Sequence, residues 1–448
     1  MTMMSLVRTL TLLAASSSAF QTTRSVIKMS ASGPKNIVVI GGGVQGTSVA
    51  FQIAESTSLP AGSTITILEA NKIASAASGK GGGFMARQWG DGGPTQTLHE
   101  LAFDMYEELC PKLGVESYRK LPVLSVSPGG NKKGKQDNKS KNKQLSDIFP
   151  TWLDGSIGRV SPLGFGDDTA QVTPKEFVEK MLEYVNQPDK PGVKVVIGKC
   201  TGIECTDGDD GEKVVTAVTY QDGEEEEEKV LNADDVIVSA GPWTCQAEKW
   251  FDGAIQLPME GVKSTSIVWK PPTGDDTVDA TALFCGEDNR FGTHLEVYPR
   301  PDGTVYICGI GGSDYITTSE LQDSAFLFDC PPKDDRVEAA ASAFQMMSDT
   351  YSTRGELAKT QACMRPCPPD AKPYMGRVPG YSGAYINGGH NCWGIAWAPA
   401  SGKAIAELVL EGESRSVDLR PFNPARYTSQ GRGGRGRKKK GLSVGEQW

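Results

Sequence analysis

A cluster of glycines near residue 40 carries the strongest chemical signal in the sequence. Gly41, Gly43 and Gly46 have the spacing G-x-G-x-x-G, between a predicted strand and a predicted helix. Glycines at these positions allow a tight turn and bring a pyrophosphate close to the unpaired amides of the helix N-terminus. Glu69 ends the next predicted strand, where an acid would accept hydrogen bonds from ribose hydroxyls. A glycine turn without a nucleotide is the alternative. The predicted dinucleotide contacts are Gly41, Gly42, Gly43, Val44, Gln45, Gly46 and Glu69.

A second glycine-rich loop, at residues 78–83, follows shortly after Glu69. A domain that binds NAD alone needs no such loop. FAD is longer, and a second close approach of the backbone suits its ribityl chain and flavin. The alternative is a flexible surface loop. We therefore predict FAD as the cofactor and no metal site, since no two of the ten cysteines form a CxxC pair. The contacts predicted from this loop are Ser78, Gly79, Gly82 and Gly83.

Three residues of the second half are candidates for binding a substrate. Arg365 lies in the run MRPCPPDAKP, and its planar guanidinium can pair bidentately with a carboxylate. A structural salt bridge, for example to Asp370, is the alternative. His294, Glu296 and Tyr298 alternate along a predicted strand and therefore share one face. His294 and Tyr298 can hydrogen-bond a substrate if that face lies against the cofactor; a solvent-facing strand is the alternative.

The predicted secondary structure suggests how these residues are positioned. The segments 35–40, 44–54 and 63–68 are typical of a strand, a helix and a second strand. From residue 257 to 310 the pattern changes to strands without intervening helices, with a turn at 301–303, which predicts an antiparallel sheet. Further helices are predicted at 98–113, at 174–185 with Thr173 as a cap and Glu176 three residues on, at 335–354, and after Gly388–Asn391 to about residue 410.

Taken together, these motifs resemble the D-amino-acid oxidase, glycine oxidase and sarcosine oxidase superfamily of FAD-dependent amine oxidoreductases. The similarity covers most of residues 35–412, and it is most specific at GGGVQG with Glu69 and at GGHNCWG, residues 388–394. The run EVYPRPDG at 296–303 is similar to an uncharacterised eukaryotic subgroup of FAD-dependent oxidoreductases. The substrate of the better-known members is therefore not inherited directly.

The resemblance implies an α/β fold in which a Rossmann-like FAD-binding domain is interleaved with an antiparallel-sheet α+β substrate domain. The FAD-binding domain is expected in three parts and the substrate domain in two, the first of which contains a Lys-rich insertion. The expected boundaries are 1–33 for a targeting presequence, 34–114, 172–250 and 356–412 for the FAD-binding domain, 115–171 and 251–355 for the substrate domain, 131–143 for the insertion, and 413–448 for a basic Gly/Arg/Lys tail.

The resemblance also implies roles for individual residues. Backbone amides at the helix start that follows Gly388 would stabilise negative charge on the reduced flavin, although a packed loop residue is the alternative for His390. Cys200 would contact the adenosine side through its backbone. In glycine oxidase-like members the arginine at the position of Arg365 binds the substrate carboxylate. Cys363 with Met364 repeats a pair that binds flavin covalently in sarcosine oxidases, with a small buried cysteine as the alternative. The other implied cofactor contacts are Gly241, Gly388, Gly389, His390, Asn391 and Gly394.

The activity implied by the resemblance is oxidation of a small amine or amino acid. Hydride transfer to the flavin would give an imine that hydrolyses, and oxygen would accept the electrons and form hydrogen peroxide; a quinone or a carrier protein is the alternative acceptor. A flavin-dependent 2-hydroxy acid dehydrogenase would use Arg365 equally well. An FAD-binding assembly factor without turnover is a third possibility. The implied partners are a small-molecule substrate and an electron acceptor, and the oligomeric state stays open.

Charge and hydropathy exclude several other classes. The net charge of −9 does not favour nucleic acid, and 38% apolar residues exclude a wholly disordered chain. The segment 426–440 is expected to be a solvated basic tail, with binding to RNA or an acidic membrane as the alternative. No apolar stretch reaches the ~18 residues of a transmembrane helix.

The first residues have the composition of a targeting segment. No acid precedes Glu55, and Arg8 is followed by an apolar run, small residues and Ala19-Phe20. Residues 21–32 are then Ser/Thr-rich and basic. This order resembles the bipartite plastid presequence of algae with secondary red plastids. A mitochondrial presequence is the first alternative and secretion the second.

Overall fold

The computed structural model describes residues 33–90, 92–129, 143–222, 227–271, 278–323 and 330–428. The predicted presequence up to residue 32, the Lys-rich insertion up to residue 142 and the tail beyond residue 428 lie outside the described residues. These interpretations stay predictions. Of the helices in the described ranges, none has both the length and the apolarity that crossing a membrane requires.

A six-stranded sheet carries the first glycine loop at the end of a central strand. Neighbouring strands run parallel except for the antiparallel pair at one edge. The central strands are runs of Val, Ile and Leu that are buried along most of their length, as expected for a parallel sheet covered on both faces. In spatial order the strands are β19 (Tyr374–Arg377), β21 (Ala384–Gly388), β12 (Asp235–Val238), β1 (Asn36–Ile40), β2 (Thr64–Glu69) and β8 (Lys194–Ile197).

An eight-stranded, mostly antiparallel sheet forms the other large layer, and it confirms the antiparallel sheet predicted over residues 257–310. The predicted turn at 301–303 joins two of its strands, which pair with Tyr298 opposite Tyr306. In spatial order the strands are β17 (Asp314–Ile316), β13 (Glu260–Lys270), β16 (Val305–Cys308), β15 (Glu296–Pro299), β14 (Ala282–Cys285), β5 (Val123–Pro128) and β6 (Ile157–Gly164), and β18 (Glu356–Cys367) also pairs with β13.

The remaining strands of the described residues form two smaller sheets. One has three strands, β3 (Phe84–Ala86), β7 (Thr169–Gln171) and β4 (Arg119–Lys120). The other contains β9 (Lys199–Asp207), β10 (Lys213–Gln221), β11 (Glu228–Asn232) and β20 (Tyr381–Ser382). The combination of parallel and antiparallel layers confirms the predicted α/β fold class. The domain boundaries given above stay a prediction.

The helices of the described ranges pack on both large sheets. Phe51 shares a core with Ile37 of the six-stranded sheet, and Phe344 shares a core with Ile267 of the eight-stranded sheet. The helices are α1 (Val44–Ala54), α2 (Ala77–Lys80), α3 (Gln96–Leu113), α4 (Lys143–Ile148), α5 (Pro174–Val185), α6 (Thr318–Gln322), α7 (Asp334–Met347), α8 (Asp349–Arg354) and α9 (Gly394–Glu411), with 3-10 helices at Gly241–Lys249, Asn391–Trp393, Arg420–Phe422 and Pro424–Tyr427.

Helices α1 and α9 bring the two ends of the chain together. The Ser48 hydroxyl donates to the Ala398 carbonyl at 2.8 Å. A Cβ atom at Gly402 would lie 2.5 Å from the Ser48 Oγ atom, so glycine at this position permits the close helix contact. The N-terminal glycine loop and the GGHNCWG segment therefore start their helices side by side.

The predicted helix at 335–354 is wrong as a single element, because it is divided into α7 and α8. Ser348 separates the two helices, and its backbone is extended. The Ser348 hydroxyl accepts a hydrogen bond from the Tyr351 amide at 3.1 Å and so caps α8. A serine in the middle of a helical pattern thus starts a new helix.

The prediction that a solvated tail starts at residue 426 is wrong for Arg426 itself. Arg426 donates to both carboxylate oxygens of Asp370 at 2.9–3.0 Å, and its guanidinium carbon lies 3.9 Å from the centre of the Tyr374 ring. Phe422, four residues earlier, is fully buried. The described chain therefore remains packed on the six-stranded sheet well beyond the end of α9.

Phe422 gives a direct test of this packed segment. We expect Phe422→Ala to lower the free energy of unfolding by about 3–5 kcal/mol, because it removes a fully buried aromatic side chain and leaves a cavity. Urea unfolding followed by circular dichroism measures the loss. Phe165→Ala is the matched control, since the Phe165 side chain is 50% exposed and its loss is expected to cost less than about 0.5 kcal/mol. Equal effects of the two substitutions would contradict the conclusion that the segment around Phe422 is packed.

Candidate active site

A cavity of about 350 Å³ lies where the glycine loops meet one face of the eight-stranded sheet. Most of the residues that the sequence singles out line this one cavity, although they come from distant segments of the chain. The predicted residues among its walls are Gly41, Gly43, Val44, Gln45, Glu69, Ser78, Gly82, Gly83, Cys200, Gly241, Gly388, Gly389, His390, Asn391, Gly394, His294, Tyr298 and Arg365. Their roles in binding stay predictions.

Three predicted cofactor contacts do not line the cavity. A Cβ atom at Gly46 would lie 1.9 Å from the Gly41 carbonyl oxygen, and one at Gly79 would lie 1.9 Å from the Ala74 carbonyl oxygen. At Gly42 the Cβ atom would meet the side chain of Ile73 at 2.4 Å. These glycines are required because backbone or side chains pack tightly against them, and that packing shapes the loops from behind.

Hydrogen bonds between the two glycine loops and β2 hold the cavity wall. The Glu69 carboxylate accepts from the Gly42 amide at 2.6 Å, and the Ser78 hydroxyl accepts from the Val44 amide at 2.8 Å. Burial raises the pKa of Glu69, while the amides of Gly42 and Asn71 act to lower it. Glu69 thus already has backbone partners, and the predicted ribose contact would use its remaining lone pairs.

The side chain of Gln45 connects the N-terminal and C-terminal parts of this wall. Its amide nitrogen donates to the Gly394 carbonyl at 2.6 Å, and its amide oxygen accepts from Asn387 at 3.4 Å. Asn391 adopts the left-handed conformation with φ of 51°, which is uncommon outside glycine and often marks a functional position. The starts of α1 and α9 consequently face the same space.

Unpaired polar atoms in the cavity wall fit a long polar cofactor such as FAD. Trp243 Nε1 and Asn387 Oδ1 are buried and have no hydrogen-bond partner among the described residues. Both residues line the cavity, and the first amides of α1 have no partner within the helix. Buried polar groups normally have partners, so these atoms indicate a ligand with donors and acceptors spread along its length. Within the described ranges, no group of three or more metal-binding side chains is present.

Cys200 lines the cavity and is buried. Its thiol donates to the Gly202 carbonyl at 3.6 Å, and burial raises its pKa to about 12. A protonated thiol that already has a backbone partner adds little to binding. The backbone contact of Cys200 with the adenosine side stays a prediction.

His390 is almost fully buried beside the start of α9. Its Nε2 atom lies 3.1 Å from the Ser401 hydroxyl, and its ring packs near Trp397. Burial lowers its pKa to about 3. The imidazole is therefore neutral at ordinary pH and has a packing role in addition to lining the cavity.

This lowered pKa predicts how stability depends on pH. The unfolded chain binds a proton at His390 below about pH 6.5, whereas the folded protein does not until about pH 3. Stability therefore falls as the pH drops, and we expect this residue to account for a loss of about 2 kcal/mol between pH 6.5 and 5. Urea unfolding at the two pH values measures it. His390→Gln should lose this component, Ser401→Ala should keep it, and equal pH dependence in wild type and His390→Gln would contradict the prediction.

Arg365 has no carboxylate partner among the described residues. Its Nη2 atom donates to the Ser264 hydroxyl at 3.1 Å, while Nε is buried without a partner. The suggested salt bridge to Asp370 is wrong, because Asp370 pairs with Arg426. Burial acts to lower the pKa of Arg365, but three neighbouring cysteines, Cys392 foremost, and Glu296 outweigh burial and raise the pKa, so the guanidinium stays charged.

The strand with His294, Glu296 and Tyr298 faces the cavity, so the solvent-facing alternative is wrong. Tyr298 is only 3% exposed and donates its hydroxyl hydrogen to the Glu296 carboxylate. The hydroxyl hydrogen of Tyr298 is thus already used, and a hydrogen bond from Tyr298 or His294 to a substrate stays a prediction. His294 is half-buried, just before β15, and lines the cavity. Phe84 stacks on Tyr298 with ring centres 5.4 Å apart, and Phe284 meets it edge to face.

Cys363 lies two residues before Arg365 on β18 and also lines the cavity. Burial raises its pKa to about 11, which keeps the thiol protonated at neutral pH. Covalent attachment to flavin stays a prediction.

Several cavity residues escaped the sequence analysis. Trp243 comes two residues after Gly241, a predicted cofactor contact, and this position in the sequence could have identified it. Ser264, Cys308 and Asn387 line the cavity because their strands pair in a particular register, and local sequence does not show that register. Glu296 was noted only as a neighbour of His294 and Tyr298, yet its strand belongs to the same sheet as Arg365 and it lines the same cavity.

Known proteins are similar to this chain in sequence and in fold. The chain is 28% identical to the oxidoreductase C1F5.03c of Schizosaccharomyces pombe, over 88% of this chain and 98% of the yeast protein. It is 30% identical to a glycine oxidase of Pseudomonas putida over 47% of this chain and 49% of the bacterial one. The structure of an L-amino acid deaminase from Proteus vulgaris superimposes with a TM-score of 0.67 at 18% identity, covering 88% of this chain and 98% of the other.

The sequence profile of one enzyme family matches residues 36–408, which include both glycine loops, β15 and the start of α9. The match covers every segment that lines the cavity, and it agrees with the unpaired polar atoms found there. The chain belongs to the family of FAD dependent oxidoreductases.

Proposed function

We propose that this FAD-dependent enzyme oxidises the C–N bond of a small amine or amino acid that carries a carboxylate. The observation that supports the proposal is Arg365. Its guanidinium faces the cavity and has no carboxylate partner among the described residues. A buried cation without a counterion is costly, and a bound carboxylate removes that cost.

The residues that would hold FAD lie along the glycine loops and at the start of α9. The amides at the start of α1 would receive the pyrophosphate, and Glu69 the ribose. Trp243 and Asn387 supply unpaired polar atoms to the remaining length of the cofactor. When bound, FAD supplies the two-electron acceptor that the side chains of the protein lack.

The protein contributes orientation and exclusion of water. Arg365 would fix the carboxylate end of the substrate, and the aromatic side chains of Phe84, Trp89, Phe284 and Tyr298 form an apolar wall on another side of the cavity. His390 is neutral, so it does not add positive charge near the start of α9. Molecular oxygen is the proposed final electron acceptor, with hydrogen peroxide as its product.

The test is a substrate screen on the FAD-loaded protein. The chain from residue 34 onward is purified, and its flavin spectrum is recorded without oxygen as D- and L-amino acids, glycine, sarcosine, proline and 2-hydroxy acids are added. Bleaching by amines but not by hydroxy acids, with peroxide formed on admitting air, is the expected result. Bleaching by hydroxy acids alone would favour the 2-hydroxy acid dehydrogenase, and bound flavin that no amine bleaches would refute the proposal.

We also propose import into a plastid, on the basis of residues 1–32. The apolar run, the Ala19-Phe20 pair and the Ser/Thr-rich basic segment support it. Fusing residues 1–40 to a fluorescent protein in an alga with a secondary red plastid tests the proposal. Fluorescence in mitochondria or outside the cell would overturn it.

A further inference from the structure

One face of the eight-stranded sheet carries two opposite charges toward the cavity. Glu296 lies opposite Cys308 in the pairing of β15 with β16, and Ser264 lies opposite Cys363 in the pairing of β13 with β18. Arg365, two residues after Cys363, lies on the same face. All five residues line the cavity. The strands of Glu296 and Arg365 are three spacings apart, or roughly 14 Å between their backbones.

Glu296 keeps one carboxylate oxygen available. The Tyr298 hydroxyl and the Cys308 thiol both donate to Oε2, the thiol at 3.4 Å. Among the described residues, no donor contacts Oε1, and no Lys or Arg nitrogen lies within 4.0 Å of the carboxylate. A half-buried carboxylate of this kind is stabilised by a cation that the described part of the chain does not provide.

Arg365 likewise has no partner of opposite charge among the described residues. Its described partner is the neutral Ser264 hydroxyl, and its Nε atom is buried and unpaired. Glu296 acts on Arg365 through the cavity, since Glu296 is among the groups that raise the pKa of Arg365. They do not neutralise each other directly, because neutral serine and cysteine side chains lie between them.

We propose that Glu296 determines substrate specificity by binding the cationic nitrogen of a zwitterionic substrate whose carboxylate is bound by Arg365. The inference rests on the proposed function and narrows its substrate class. Simple amines lack the carboxylate that Arg365 would bind, and 2-hydroxy acids lack the cation that Glu296 would bind. A zwitterion satisfies both unpaired charges at once.

The aromatic side chains around Glu296 favour a cationic ligand. Phe284 is the cross-strand neighbour of Glu296, and Tyr298 lies two residues further along the same strand. Phe84 packs against both of these rings, and Trp89 packs against Phe284. The faces of such rings attract alkylated ammonium groups, and they exclude water from the carboxylate, which strengthens its attraction for a cation.

The test compares ligand pairs that differ in one atom. Trimethylglycine (glycine betaine) carries a carboxylate and a quaternary nitrogen, and 3,3-dimethylbutanoate has the same shape with carbon in place of nitrogen. The longer pair, 4-(trimethylammonio)butanoate and 5,5-dimethylhexanoate, covers a wider spacing of the two charges. A quaternary nitrogen has no lone pair to form an imine, so binding is measured without turnover, by calorimetry and by perturbation of the flavin spectrum of the FAD-loaded protein.

We expect the wild-type protein to bind the betaine of at least one pair about tenfold or more tightly than its carbon analogue, which keeps the carboxylate but lacks the cation. Glu296→Gln should remove this preference, because the affinity for the betaine falls while the carbon analogue, a simple carboxylate anion, is bound no less tightly than by the wild type. Glu296→Asp should retain part of the preference, and Glu287→Gln, at an exposed residue outside the cavity, should retain all of it.

Two results would overturn the inference. One is equal affinity of the wild-type protein for both members of both pairs, which requires no variant to fold. The other is a preference for betaine that survives in Glu296→Gln. Because no oxidation occurs in this test, its failure would leave amine oxidation intact, and a protein that prefers betaine but bleaches with no amine would refute only the proposed function.

Discussion

Replacing Gly43 with alanine is expected to weaken FAD binding about 10- to 100-fold while the protein stays folded. Gly43 precedes α1 with φ of −77°, a conformation open to any residue. An added Cβ atom would meet only the side chain of Ser78, whose Oγ atom lies 3.0 Å away. Overpacking of this kind costs about 1–3 kcal/mol.

The measurement is titration of FAD-free protein with FAD, followed by flavin fluorescence, with circular dichroism as the check on folding. Gly286→Ala is the matched control, because a Cβ atom there would make an ordinary contact of 3.5 Å with Pro128, outside the cavity. Gly46→Ala is expected to differ from both, since its Cβ atom would clash with the Gly41 carbonyl oxygen and disturb folding itself. Wild-type affinity in a folded Gly43→Ala protein would mean that the phosphates bind elsewhere.

The contrast between Gly43 and Gly46 shows how much the local sequence predicts. Strand β1, helix α1 and strand β2 were predicted to within about one residue, because glycine spacing and apolar periodicity are local properties. The structure adds which glycine borders the cavity and which borders the backbone. That distinction depends on what packs against each glycine, and the sequence gives no direct information about it.

Local capping patterns were less reliable than periodicity. Pro174 starts α5 as predicted, but the Thr173 side chain makes no capping hydrogen bond. The Glu176 carboxylate accepts instead from the amides of Glu116 and Ser117, which precede β4. A residue of the first helical turn is thus used to hold a distant segment. Such tertiary competition for a side chain cannot be predicted from the four residues of the motif.

The substrate side of the cavity was predicted least well, for a physical reason. Arg365 was identified because a family motif surrounds it. Glu296 and Ser264 face the same space only through the pairing of β15, β16, β13 and β18, whose residues are far apart in the chain. A shift of one residue in any of these pairings would turn the side chains to the opposite face. Register at long range therefore decides which charges share the cavity.

Arg365→Leu is expected to reduce kcat/KM about 100-fold for whichever carboxylated substrate bleaches the flavin fastest, while FAD content stays unchanged. Loss of one partner from a buried, hydrogen-bonded charge pair costs about 3 kcal/mol or more. The substitution also removes a buried cation whose Nε atom has no partner, so the protein without substrate should be no less stable than wild type. Activity and urea unfolding together measure the two effects.

Two further variants separate charge from geometry at this position. Arg365→Lys keeps the positive charge but not the planar fork, and we expect an intermediate loss of activity, since a lysine cannot bind a carboxylate bidentately. Ser264→Ala removes the hydroxyl that accepts from Arg365 Nη2 and should cause a smaller loss than either. If Arg365→Leu retains wild-type affinity for carboxylated ligands, then Arg365 does not bind the substrate. Glu296 would in that case bind a cationic substrate that carries no carboxylate, and simple amines would be the substrates that fit the cavity.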